Sequence, residues 1–266
     1  YLGLYKSNNK LVLDNQEKFN KLNFENTTLI YDDDINIKID NKNRVINIYQ
    51  TFKEARVLFL GGSLSEVKIN FFGKENFKQN NLKKYPFDKK GLTGCLTFSN
   101  LQLSSVSIYS EKSNCEDAIN LVNTNGSINL IESLDSYRDG LDIDFSTLRI
   151  DKIIISNAGN DCTDLSGGNY KIEHLSLSNC NDKALSVGEK SILKLKNVNV
   201  IDTQIGLSSK DSSIVYIENA KIENSNICFE AKRKKQEFSG GIINISNANC
   251  FGSPSEIQKG SFINYL

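Results

Sequence analysis

The chain contains no methionine and no tryptophan, and it carries only 2 prolines and a single histidine in 266 residues. The missing methionine, initiator included, implies a fragment or a processed form from which a signal could have been removed. With one histidine, His174, lying between apolar neighbours on an alternating strand, no Ser/His/Asp arrangement and no His/Cys metal spacing can be assembled. An excess of one charge is also missing: 32 basic residues balance 32 acidic ones. Bulk electrostatics therefore gives no reason to expect a nucleic-acid partner. There is no apolar run of membrane-spanning length and no signal peptide at Tyr1. No shift in composition demands two independent domains, and the length suffices for a full core.

What the chain does have is a period of 22 residues through its C-terminal two thirds. Every 22nd position reads Ala118, Gly140, Cys162, Ala184, Gly206, Cys228, and the next reads Ile119, Leu141, Thr163, Leu185, Leu207, Phe229. Leu121, Ile143, Leu165 and Val187 continue the apolar alternation. Between them fall Asn120, Asp142, Asp164, Ser186, Ser208, Glu230 and then Val122, Asp144, Ser166, Gly188, Lys210, Lys232. Alternation with period 2 is a strand, and a short unit that cannot bury its own apolar face must stack on copies of itself.

The rest of each unit is strand-like too: Ile150–Ile155, Ile172–Leu177, Leu193–Val200 and Ile214–Ile217 are rich in β-branched residues. Asn157–Asn160 and Ser166–Asn169 have turn composition. A leucine-rich repeat has a comparable period but returns through a helix or 3₁₀ segment, and here the return is a strand. Ile172, Leu175 and Leu177 recur as Leu195, Val198 and Val200, one residue late, which predicts a turn enlarged around Glu189–Ser191 and a later turn shortened. The expected fold is an all-β, right-handed, single-stranded parallel β-helix. Residues 1–92 are expected to form a cap and irregular early rungs, residues 93–256 regular rungs, and residues 257–266 a partial rung or cap. Strand-like runs fall at Leu11–Leu13, Ile35–Ile39, Val45–Ile48 and Val57–Leu60, and the stretch from Phe72 to Lys90 reads as a long exposed loop.

Of the 6 cysteines, Cys162 and Cys228 share one inward column three rungs apart, a separation of roughly 14 Å at normal strand spacing. They cannot bond to each other, so buried thiols are expected there. Cys95, Cys115, Cys180 and Cys250 stay unassigned, and so does the redox compartment.

The outward columns carry the candidate chemistry. One reads Asp117, Asp139, Asp161, Lys183, and its neighbour reads Glu116, Arg138, Asn160, Asp182. Further along the axis come Glu189, Lys210, Lys232 and the run Lys232–Lys235, read first as a solvated loop. Carboxylates stacked about 5 Å apart repel by about 3 kcal/mol at an effective dielectric near 20. Some compensation is therefore expected: raised carboxyl pKa values, lysine partners, solvation, or a cation such as Ca²⁺ held by Asp139 and Asp161. Two chemistries suit such a face. In the first, a carboxyl pair drawn from Asp161 and Asp164 and their neighbours cleaves a glycosidic bond, although every adjacent pair in a stacked sheet has the same spacing. In the second, a lysine takes a proton from a uronic acid, with Lys183 first in line and Lys210 second. Arg138, Asp139, Asp142, Glu189 and Lys232 are expected to contact the substrate.

From about Gly94 to Cys250 the sequence resembles the right-handed parallel β-helix superfamily of pectate lyases, polygalacturonases and phage tailspikes. The segments Asp142–Phe145, Gly159–Cys162, Asn181–Lys183, Ser186–Ser191 and Ser209–Ser212 also resemble a group of uncharacterised bacterial β-helix proteins. The resemblance implies binding, and often cleavage, of an extracellular or capsular polysaccharide, taken here as anionic. It also implies a secreted or cell-surface location and admits a homo-oligomer. The Gly-His-Gly motif of the polygalacturonases is absent, and only Asp161 and Asp164 echo their acidic motif. The alternative is a non-catalytic adhesin or tailspike-like module, since a fold licenses a substrate class and not a reaction.

Overall fold

The computed structural model describes residues 19–52, 54–74, 87–88 and 90–266. The strand expected at Leu11–Leu13 and most of the loop expected between Phe72 and Lys90 lie outside them. The described chain is all β, a parallel solenoid of about 9 turns. At its N-terminal end Asn20–Phe24 pairs antiparallel with Thr27–Tyr31, and Ile35–Asp40 pairs antiparallel with Val45–Gln50. Parallel stacking begins where Val45 pairs with Lys68 and Val57 with Leu96.

Each regular rung then has one short strand and one long one. The short strands Gly94–Ser99, Asp117–Val122, Asp139–Asp144 and Thr163–Ser166 stack in register. Beyond them the ladder continues through the second halves of Asn169–Gly188, Ile192–Lys210 and Ile214–Lys232. The long strands Asn125–Ser136 and Thr147–Ala158 stack beneath the first halves of the same three. In the long strands two consecutive residues face outward at Asp151–Lys152, Glu173–His174, Lys196–Asn197 and Glu218–Asn219, and the register steps over the first of each pair. That step folds the strand round a corner without breaking the ladder.

The inward columns read from the sequence are the core. Every residue from Ala118 through Cys228 in the small column is buried, as are Ile119 to Phe229 in the next and Leu121, Ile143, Leu165 and Val187 in the third. The late residue also appears where expected: Glu189–Ser191 fills a turn that Gly167–Gly168 fills one rung earlier, and the register shifts back between Cys180 and Lys183. Two columns of left-handed backbone make the corners. One runs Asn100, Asn123, Phe145, Gly167, Glu189, Asp211, and the other Asp135, Asn157, Asn179, Asp202, Asn224. Asn and Asp tolerate this conformation and can bond their counterparts in the next rung. Asn179 donates to Asn157 at 2.9 Å and Asn157 to Asp135 at 2.8 Å.

The expectation of buried thiols at Cys162 and Cys228 is overturned. Disulfides join Cys95 to Cys115, Cys162 to Cys180 and Cys228 to Cys250, and no cysteine is free. Cys162 and Cys228 do not bond each other; Cys180 stands opposite Ala158 and Cys250 opposite Ile222, in different columns of the long-strand ladder. Each bond therefore ties a rung to its neighbour.

Candidate functional site

The short-strand ladder brings the predicted acids together on its outer surface. Asp117 pairs with Asp139, Asn120 with Asp142 and Asp142 with Asp164. These outward residues are not an open solvated row: Asp117 and Asp161 are buried at 3% and 5% exposure, and Asp139, Asp142, Asp144 and Asp164 are half-buried. His174, by contrast, is exposed, as expected.

Two columns divide the structural and chemical work. In the first, Asp139 Oδ1 accepts the backbone N–H of Asp161 at 3.0 Å and Asn160 Nδ2 at 2.7 Å. Asp161 Oδ1 accepts the backbone N–H of Lys183 at 3.0 Å and its Nζ at 3.4 Å. These carboxylates bond each rung to the next. In the second column, Asp142 receives only a long bond from Asn120 Nδ2 at 3.4 Å, and Asp164 Oδ1 is buried with no partner. Its other oxygen lies 3.5 Å from Lys210 Nζ.

Burial is the main force on these acids. It raises Asp117 to about 7, with added repulsion from Asp139, Glu116 and Asp144 against a hydrogen bond from Thr93. Asp139 is also pushed up to about 7, burial outweighing its bonds to Asn160 and Asp161. Asp142 is raised well above the usual carboxyl range by burial and then by Asp117, Asp144, Asp164 and Asp139. Asp144 reaches about 6 through burial and the charges of Asp164 and Glu189. Asp161 is raised by burial, with Lys183 opposing. The repulsion expected from the stacked sequence is thus met by protons, backbone N–H groups and lysines.

The predicted cations all have carboxylate partners. Arg138 meets Glu116 at 2.6 Å, Lys210 meets Asp164, Lys232 meets Glu230 at 2.9 Å, and Lys183 is bonded to Asp182 as well as Asp161. Burial alone would lower the Lys183 pKa, but its bonds to Asp182 and Asp161 raise it. Lys183 is therefore held as a cation. Glu189 pairs with Lys235, whose backbone N–H, with that of Lys234, binds Asp211 Oδ1 at 2.8 and 2.7 Å. The basic run is thus fixed at its base by Asp211, while Arg233 to Glu237 stay exposed.

Calcium at Asp139 and Asp161 fits this arrangement poorly. One oxygen of each already binds backbone, and among the described residues no group of three or more His, Cys, Asp or Glu is placed to hold a metal ion. Column reading passed over Ser186, whose Oγ accepts Lys210 Nζ at 2.7 Å, and Phe145, 60% exposed beside Asp144. The signal for Phe145 was an aromatic residue in a column of Asn, Gly, Glu and Asp.

Among the described residues, no helix is long and apolar enough to cross a membrane. No family model, no curated protein and no solved structure matches the chain.

Proposed function

We propose that the chain is a carbohydrate-active β-helix protein that binds a polysaccharide on the acidic short-strand face and hydrolyses a glycosidic bond there. One observation carries the reading: Asp142 and Asp164 stand directly opposite on adjacent strands in contrasting environments. Burial and then the surrounding acids push the Asp142 carboxyl well above the usual range, while Asp164 lies against the Lys210 ammonium. Two carboxyls with such different surroundings divide into an acid and an anionic partner. Adjacent strands are about 4.8 Å apart, close to the carboxyl separation of a retaining pair.

In that chemistry Asp142 gives its proton to the glycosidic oxygen as the C–O bond breaks. Asp164 bonds to the anomeric carbon, and water, deprotonated by Asp142, then releases the sugar and restores both groups. Asp161 and Lys183 brace the neighbouring column. The elimination route asks Lys183 to accept a proton, which its protonated, ion-paired state opposes. Arg138 and Lys232, expected to contact an anionic polymer, are both paired with glutamates, so the proposal no longer requires an acidic sugar. No step passes through calcium. Three disulfides accord with a secreted or surface location.

The non-catalytic alternative draws on the Asp139 and Asp161 column, whose bonds to backbone are those of a structural ladder. Incubation with a panel of soluble polysaccharides, followed by reducing-end release and by absorbance of unsaturated product, separates the readings. Hydrolysis should appear without unsaturated product, and Asp142→Asn and Asp164→Asn should each abolish it with circular dichroism unchanged. Undiminished turnover in both variants, or binding without turnover, sinks the hydrolase.

A further inference from the structure

Phe145 has a φ of 49°, and among the described residues it is the only apolar side chain with a left-handed backbone. In its own column the other corners are Asn100, Asn123, Gly167, Glu189 and Asp211. A bulky aromatic is disfavoured in that region, and such outliers concentrate where a site demands them. The ring is also seated in a defined place. A Cβ on Gly167, one rung on, would fall 2.6 Å from Phe145 Cδ1 and 2.8 Å from Cε1, so the ring lies against bare glycine backbone. Its own N–H is tied to Ser166 O at 2.9 Å. Held on one side, the ring is 60% exposed. It directly follows Asp144, and Asp142 stands two residues further back on the same outward side of the strand.

A fixed, exposed aromatic face beside polar groups is what the apolar C–H face of a pyranose stacks on. The surrounding charges select which pyranose. Asp142 and Asp144 precede the ring on its own strand, Asp164 pairs with Asp142 on the next, Glu189 turns the same corner two rungs on, and Lys210 and Lys235 are committed to Asp164 and Glu189. A uronate carboxylate placed here would meet carboxyl groups with no uncommitted cation among the predicted lysines. We propose that Phe145 is the sugar-stacking platform of this face and that it holds a pyranose without an acid group, positioned so that its glycosidic oxygen reaches Asp142. The inference rests on the polysaccharide reading above and names the substrate class for it.

The test uses the whole chain with soluble neutral β-glucans, xylan and N-acetylglucosamine oligomers against polygalacturonate and alginate, measuring Kd, KM, kcat and Tm. Wild type should favour a neutral glycan. Phe145→Asn, which installs the residue found at two other corners of the column, should raise Kd and KM by about tenfold, the loss of one aromatic contact. It should leave Tm unchanged or higher, because Asn adopts the left-handed backbone more readily. Phe145→Tyr should restore binding. Wild-type affinity in Phe145→Asn, or a wild-type preference for the acidic polymers, overturns the role of Phe145 while the hydrolase reading stands. Absence of binding to every glycan in wild type removes both.

Discussion

Lys210 reaches back over Gly188 to Asp164, two rungs earlier, with Nζ 3.5 Å from Oδ2, and donates to Ser186 Oγ at 2.7 Å. The side chain is 9% exposed at Lys210 and 25% at Asp164, so the pair is largely desolvated. Lys210→Ala leaves Asp164 without its cation, at a cost of about 2 kcal/mol once the residual exposure of Asp164 is allowed for. Thermal melts should fall by roughly 4–8 °C. Loss of the ammonium should also lower kcat, because Asp164 is the proposed nucleophile and Lys210 lies against it. A variant that only loosened the rung would lower Tm and leave kcat in place.

The fold was legible because the solenoid repeats its environment. Ala118, Gly140, Cys162, Ala184, Gly206 and Cys228 share a column in the sequence, and they share the core. The pairing of Ile172 with Leu195 followed from the same arithmetic. What the columns could not show was contact between columns. Cys162 bonds Cys180, which lies 18 residues away rather than 22, so the disulfide crosses between two ladders that were read separately. The ion pairs of the lysines were hidden for a similar reason. Lys183 and Lys210 were read as outward and available, but long side chains fold back along the axis onto Asp161 and Asp164. Strand alternation assigns a side, and it says nothing about how far a flexible side chain travels along that side.

The disulfides give a chemical check that needs no activity. Thiol labelling in denaturant without reductant should find none of the 6 cysteines reactive, and all of them after reduction. Each bond closes a loop of 18 to 22 residues, worth about 3 kcal/mol in the chain-entropy account. Cys162→Ser with Cys180→Ser should therefore lower Tm by roughly 6–12 °C. Labelling of two or more thiols before reduction would restore the buried-thiol expectation for Cys162 and Cys228.

The corner column makes a prediction opposite in sign to that for Phe145. Asn179 has a φ of 54° and donates to Asn157 at 2.9 Å. Asn179→Val places a β-branched residue where its Cβ clashes with the following carbonyl, costing about 1–2 kcal/mol, and removes one rung of the ladder. Asn179→Gly removes the same hydrogen bond without that clash. The Val variant should melt several degrees below the Gly variant. Equal melting temperatures would mean that strain at these corners is negligible, and the case built on the backbone of Phe145 would weaken with it.

Burial of acids sets the pH dependence of stability. Asp117 and Asp139 titrate near 7 in the folded chain against an ordinary value of 3.8. Between about pH 4 and 7 the folded state therefore binds more protons than the unfolded one. Stability must fall as pH rises through that window and level off above it. The slope is at most about 1.4 kcal/mol per pH unit for each group. Asp40, lowered by hydrogen bonds from Asn43, and the half-buried Glu173, lowered by Lys171 and its other cationic neighbours, act in the opposite sense, but only below about pH 4.5. Asp139→Asn keeps an oxygen to accept the Asp161 N–H and removes one titrating group. Its stability relative to wild type should grow from pH 4 to 7 and stay constant beyond. Denaturant melts at half-unit intervals provide the measurement, and wild-type stability that climbs from pH 5 to 8 would mean these carboxyls are ionised and solvated, leaving Asp142 without the crowded surroundings that make it the acid.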